Sequence, residues 1–155
     1  PPLRTAEDAL ALQAAVADGT VDCIVTDHAP HAAHEKDCEW EISYFGCIGL
    51  ETSLPLMVTN MVRTNKLSYT GLVRAMAVNP RRILRLDPVK IAAGYKADLT
   101  LFDPDKKVQI TTEYFESKSK NSAFIGAELY GVATDVFVDG KRVLANEVVV
   151  PGGEK

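Results

Sequence analysis

The stretch Val21-Asp22-Cys23-Ile24-Val25-Thr26-Asp27-His28-Ala29-Pro30-His31 decides how the rest of the chain reads. Residues 21–26 are a short β-branched run, which predicts a strand buried on most sides. Asp27 falls where that strand ends and a loop begins. In β/α barrels the loops after the strands form the active-site mouth, so a carboxylate there is placed for chemistry. It can bind a metal through oxygen, and it can carry a proton. An Asp in this position can equally cap the following turn. Spacing alone leaves both roles open.

Three histidines follow at even spacing, His28, His31 and His34. On a helix such residues share a face and could bind a metal together. Pro30 lies inside the run and disfavours the helical region for Ala29, so a helical histidine stripe is not expected. One functional histidine and two structural or solvated ones is the simpler expectation. Cys38 and Cys47 have no spacing that adds them to a site.

Upstream, Thr5-Ala6-Glu7-Asp8 has the form of a capping box, and an alanine-rich helix is predicted through Ala17 with Asp18-Gly19 as its stop. Downstream, residues 28–50 mix Pro, Gly, aromatic and charged residues without a period; long loops in compact domains are usually functional or disordered. Helical patterning resumes over 52–64, where Pro55 fits only in a first turn. A second helix is predicted over 68–78, broken by Asn79-Pro80. Strand, long loop and helices together resemble the end of a barrel wall.

Near Asp87-Pro88 the composition changes and strands dominate: 99–102, 108–110 and 136–138. Asp139-Gly140 followed by Lys141-Arg142-Val143-Leu144 predicts a hairpin with a two-residue turn. The expected organisation is therefore α/β: residues 1–88 as the C-terminal part of a (β/α)8 barrel, and residues 89–155 as part of a small β-sandwich that needs partner strands from elsewhere. Pro1-Pro2-Leu3-Arg4 reads as the middle of a loop, with residues upstream expected to be missing.

The composition excludes several function classes. A hydrophobic content of 46% and a charged content of 25% are those of a globular protein, neither disordered nor fibrous. The net charge is −4, without a Lys/Arg block to displace counterions from phosphates, so nucleic-acid binding is not expected. No apolar stretch is long enough for a membrane span. The three cysteines are odd in number and suit reduced thiols in a cytoplasmic protein.

Thr26-Asp27-His28-Ala29-Pro30-His31, with Glu35-Lys36, Phe45-Gly46 and Gly49-Leu50-Glu51-Thr52, resembles the C-terminal half of a type I dihydroorotase, a cyclic amidohydrolase of the amidohydrolase superfamily. Asn79-Pro80, the run Ala93 to Leu99, the run Ser117 to Ser122 and Asp139-Gly140 extend the resemblance over essentially the whole chain. Hydantoinases and allantoinases share the strand-end aspartate but typically differ at the position of His31.

The resemblance implies a binuclear zinc site, most of whose ligands lie upstream of this chain. Asp27 matches the last metal ligand, which also serves as general acid/base. His31 matches a residue that helps bind the substrate carboxylate. Phe45 and Gly46 match a pair whose backbone touches the dihydropyrimidine ring. The implied reaction is reversible hydrolysis of dihydroorotate to N-carbamoyl-aspartate in pyrimidine biosynthesis. The implied partners are the N-terminal half of the same enzyme, a second copy of the chain and aspartate transcarbamoylase. Without the resemblance, Phe45 reads as core packing and Gly46 as an ordinary turn. Glu35, Lys36 and Glu51 read as surface or supporting ion partners, Trp40 and Tyr44 as packing for the long loop, and Lys118 and Lys120 as a solvated turn. Two other functions stay open: another cyclic amidohydrolase, or a non-catalytic dihydroorotase-like subunit supporting aspartate transcarbamoylase. The isolated chain is expected to bind zinc poorly and to be inactive.

Overall fold

The computed structural model describes residues 4–154. Most of the Pro1-Pro2-Leu3-Arg4 motif lies outside them. Helix α1 spans Ala6–Asp18, and the capping box is present: Asp8 N donates to Thr5 Oγ1 at 3.2 Å and Thr5 N to Asp8 Oδ2 at 3.1 Å. Gly19, with φ 87°, ends it in the left-handed conformation that glycine adopts without strain.

Among the described residues, 21–26 belong to no sheet, contrary to expectation. A parallel barrel strand is made by neighbours on both sides. Here the backbone is tied to a helix instead, through Ile24 N to Ala75 O at 3.1 Å, and Val25 is 75% exposed. Asp22 adds two links to that helical layer: its carbonyl accepts from Asn79 Nδ2 at 2.6 Å and its carboxylate from Arg82 at 3.1 Å. A short helix α2, Ala33–Lys36, interrupts the long loop.

Helix α3, Leu50–Met57, starts two residues earlier than the pattern suggests and continues in wider π-type turns over Val58–Val62. Pro55 therefore lies beyond the first turn, a correction with a physical reason. Its missing N–H orphans the carbonyl of Glu51, and the Tyr114 hydroxyl donates to that carbonyl at 3.1 Å. The next helix also differs from expectation. It runs as α4, Tyr69–Val73, through wide turns at Arg74–Val78 into α5, Asn79–Ile83, so Asn79-Pro80 does not break it. Asn79 N–H reaches back five residues to Arg74, and the wider turn gives the Pro80 ring the room a regular turn denies it.

The sheet is a four-stranded antiparallel meander in the order β1-β2-β3-β4: Leu99–Gln109, Glu128–Val138, Lys141–Ala145 and Val148–Glu154. The two predicted short strands at 99–102 and 108–110 are the two ends of β1. They are joined through an irregularity between Asp103 and Lys107, where Asp103 Oδ1 caps the amides of Asp105 and Lys106. The Asp139-Gly140 turn has φ of 53° and 77°, the two positive values of a type I′ hairpin.

Helices and sheet share one interior. Ile48, from the long loop, is fully buried with Ile110, Phe115 and Leu129. Val58, Met61, Leu67 and Leu72 form the second cluster, on which Phe102 and Tyr130 pack from the sheet. Gly131 brings β2 against the helix: a Cβ there would lie 2.7 Å from Val58 Cβ.

Candidate active site

The end of the extended segment is laced to the loop that closes over it. Ala29 N donates to Cys47 O at 3.0 Å, and His28 Nδ1 accepts from the amides of Gly49 at 3.1 Å and Leu50 at 3.3 Å. His28 thus anchors the start of α3 and is structural. Asp27 sits between these anchors with φ 46°, a left-handed conformation uncommon for a residue with a side chain, and it is exposed. Such backbone values in a non-glycine residue gather at functional sites, where the surroundings over-determine them.

His31 is half-buried. Its Nε2 lies 2.8 Å from the carbonyl of Phe45, its ring stacks on Tyr44 at 5.5 Å and 11°, and its Nδ1 is 3.7 Å from Glu35 Oε2. A carbonyl only accepts, so Nε2 carries the hydrogen, while Nδ1 lies toward the Glu35 carboxylate. Phe45 is 79% exposed, which rules out core packing for it. Gly46 has φ 110°, and a Cβ there would meet Ala29 Cβ at 2.6 Å. Only glycine fits where these two stretches of backbone pass.

Several side chains outside that set shape the same loop. Lys36 Nζ donates to the carbonyls of Tyr44 and Gly46, and Asn121 Nδ2 reaches the Gly46 carbonyl at 3.0 Å. Ile48 N closes back onto Asn121 O at 2.9 Å. Glu35, in turn, caps the Ala32 amide at 2.7 Å. Glu51 accepts the amides of Glu116 at 2.7 Å and Ser117 at 2.9 Å, fastening residues 115–121 to α3. Burial, with the nearby Glu51 charge second, pushes the Tyr114 hydroxyl above its ordinary range, so it stays a donor to the Glu51 carbonyl.

An open cleft of about 840 Å³ runs between the two halves, lined among others by His31, Lys36, Lys118, Ser119, Lys120 and Asn121. Of the residues that the sequence singles out, His31 lines it; Asp27, Phe45 and Gly46 do not. Lys118 and Lys120 border a cleft instead of a featureless turn, and Lys120 also donates to the Phe115 carbonyl. Trp40 is 88% exposed, unlike the expected loop filler. Lys36 and Asn121 hold the loop that carries Phe45 and Gly46. Their signal in the sequence is membership of the Glu35-Lys36 pair and of the run Ser117 to Ser122.

Among the described residues no three His, Cys, Asp or Glu side chains gather as metal ligands. Asp27 is one exposed carboxylate, His28 Nδ1 is taken by backbone amides and His31 Nε2 by a carbonyl. This donor set does not by itself fit a metal ion.

A sequence profile described as "Amidohydrolase family" matches residues 2–143. The chain belongs to the amidohydrolase family. It is similar to the dihydroorotase of Clostridium acetobutylicum, 45% identical over 92% of this chain and 34% of that protein. It is also similar to the dihydroorotase of Geotalea daltonii, 48% identical over 92% of this chain and 33% of that protein. Among solved structures, the L-hydantoinase (dihydropyrimidinase) from Arthrobacter aurescens superposes with a TM-score of 0.89 at 32% identity, covering 97% of this chain and 34% of that one. This amidohydrolase chain therefore has an α/β fold shared with hydantoinases, and it spans about a third of the length of the relatives it matches.

Proposed function

We propose that this chain is the C-terminal part of a dihydroorotase, which interconverts dihydroorotate and N-carbamoyl-aspartate in pyrimidine biosynthesis. The observation that carries this reading is the contrast in identity: 45% and 48% to dihydroorotases against 32% to an L-hydantoinase of the same fold. Residues 1–88 contribute the end of the barrel and residues 89–155 the sandwich segment. The irregular stretch between α5 and β1 supports a boundary there.

In this reading Asp27 is one ligand of a binuclear zinc centre whose other ligands come from the preceding part of the same enzyme, the chain's first partner. The exposure of Asp27 and its constrained backbone suit a carboxylate offered to groups that this chain does not carry. Asp27 takes a proton from the attacking water and delivers it to the leaving ring nitrogen, a transfer that general acid/base groups accelerate by about 10²–10⁴. His31 stands beside the substrate carboxylate. The backbone of Phe45 and Gly46 lies along the ring, where the absent Cβ permits close approach. No described helix is long and apolar enough to cross a membrane, and the proposed location is the cytoplasm. Association with a second copy, or with aspartate transcarbamoylase, belongs to the same proposal.

The test is a completed enzyme in which this chain replaces the matching third of the Clostridium acetobutylicum dihydroorotase. It is expected to hydrolyse dihydroorotate and to leave hydantoin and allantoin untouched. Preference for hydantoin or allantoin would overturn the substrate assignment.

A further inference from the structure

The carbonyls of Tyr44, Phe45 and Gly46 are all taken by side-chain donors. Lys36 Nζ serves the first and third, the third at 3.2 Å; His31 Nε2 serves the second at 2.8 Å; Asn121 Nδ2 serves the third at 3.0 Å. None of these peptide bonds is cis. In a trans peptide the N–H points opposite to the C=O. Each carbonyl held toward this clamp therefore turns the next amide, that of Phe45, Gly46 or Cys47, to the other side. Among the described residues none of these three amides has a hydrogen-bond partner, whereas the flanking amides of Tyr44 and Ile48 are paired, to Glu35 O and Asn121 O.

From this we infer that Lys36 and Asn121 are positioning residues. By fixing the Tyr44 and Gly46 carbonyls they orient the backbone donors at Phe45 and Cys47 toward the oxygen atoms of a cyclic amide substrate, and His31, by fixing the Phe45 carbonyl, orients the Gly46 amide between them. Asn121 comes from the segment before β2 and Lys36 from the barrel-side loop, so the two halves of the chain hold one peptide between them. The inference rests on the proposed dihydroorotase reading for the identity of the substrate, and on the hydrogen bonds alone for the clamp.

Two substitutions remove the donors while keeping shape: Lys36→Met keeps the aliphatic stem, and Asn121→Asp keeps the side-chain outline. In the completed enzyme each is expected to raise KM for dihydroorotate about tenfold, or about 1.4 kcal/mol, with kcat within twofold. Lys36→Arg, which restores a donor, recovers most of the loss. In the 155-residue chain itself, the carbonyl ¹³C resonance of Gly46 moves in both variants while the resonances of Ile110 and Leu129 stay in place. An unchanged KM overturns the inference, as does a parallel fall in kcat and melting temperature that Lys36→Arg does not rescue. If the unsubstituted enzyme does not hydrolyse dihydroorotate, the dihydroorotase reading is what has failed. The Gly46 resonance still decides the clamp, and its constancy in both variants overturns it.

Discussion

At the scale of single residues, the site is built by backbone more than by charge. Gly46 is the clearest case, since its φ of 110° and the 2.6 Å approach to Ala29 Cβ leave no room for a methyl group. Gly46→Ala is expected to destabilise the chain by about 1–3 kcal/mol, read as a lower urea midpoint, because strain and overlap both act on the folded state. Tyr114 illustrates the reverse, a side chain repairing the backbone. Pro55 leaves the Glu51 carbonyl without its helical donor, and the Tyr114 hydroxyl fills it. Tyr114→Phe should cost about 1 kcal/mol of stability by denaturant titration. An unchanged midpoint would show that the carbonyl is satisfied by water.

At the scale of elements, turn chemistry explains the sheet. The hairpin at Asp139-Gly140 is held from outside by Asp98, whose carboxylate accepts the Asp139 amide at 2.7 Å. That hydrogen bond, with Lys96 assisting, holds the Asp98 carboxyl below its ordinary value. A carboxyl depressed in the folded state stabilises at neutral pH, and the contribution is lost as pH falls below about 4 through the folded value. In the wild type, the amide of Asp139 should exchange faster with solvent as the pH is lowered through that window, relative to other hairpin amides. In Asp98→Asn this extra acid sensitivity should vanish.

The elements that the sequence made legible are those with local causes. The capping box of Thr5 and Asp8, the Asp-Gly turn and the helical patterning each rest on neighbours a few residues apart. The errors share a different cause. Residues 21–26 have strand composition, yet a strand is completed by its neighbours, and here the segment pairs with a helix. Pro55 and Pro80 read as helix boundaries, yet wide turns and a distant tyrosine hydroxyl accommodate them. In the candidate site, a motif in the sequence draws attention to Asp27 and His31, and the exposure of Phe45 agrees with a role outside the core. Lys36 reads from the sequence as a surface or supporting ion partner, and Asn121 has no mark of its own, because a donor meeting a carbonyl 75 residues away leaves no trace in local pattern.

At the scale of the whole molecule, the two halves are interlocked. Ile48 from the long loop is buried among Ile110, Phe115 and Leu129, and Glu51 fastens the amides of Glu116 and Ser117. Residues 115–121 therefore support the loop that carries Phe45 and Gly46, while among the described residues the metal donors number too few for a site. The isolated chain is accordingly expected to take up less than one equivalent of zinc in equilibrium dialysis and to show no turnover. Stoichiometric zinc with hydrolysis of dihydroorotate by the chain alone would contradict that.

The most direct measurement is dihydroorotate hydrolysis by the completed enzyme with Asp27→Asn, with zinc content determined on the same sample. Loss of the proposed proton carrier predicts a fall in kcat of about 10²–10⁴ while the protein remains folded. Turnover within a few-fold of the unsubstituted enzyme would show that Asp27 neither carries the proton nor completes the site.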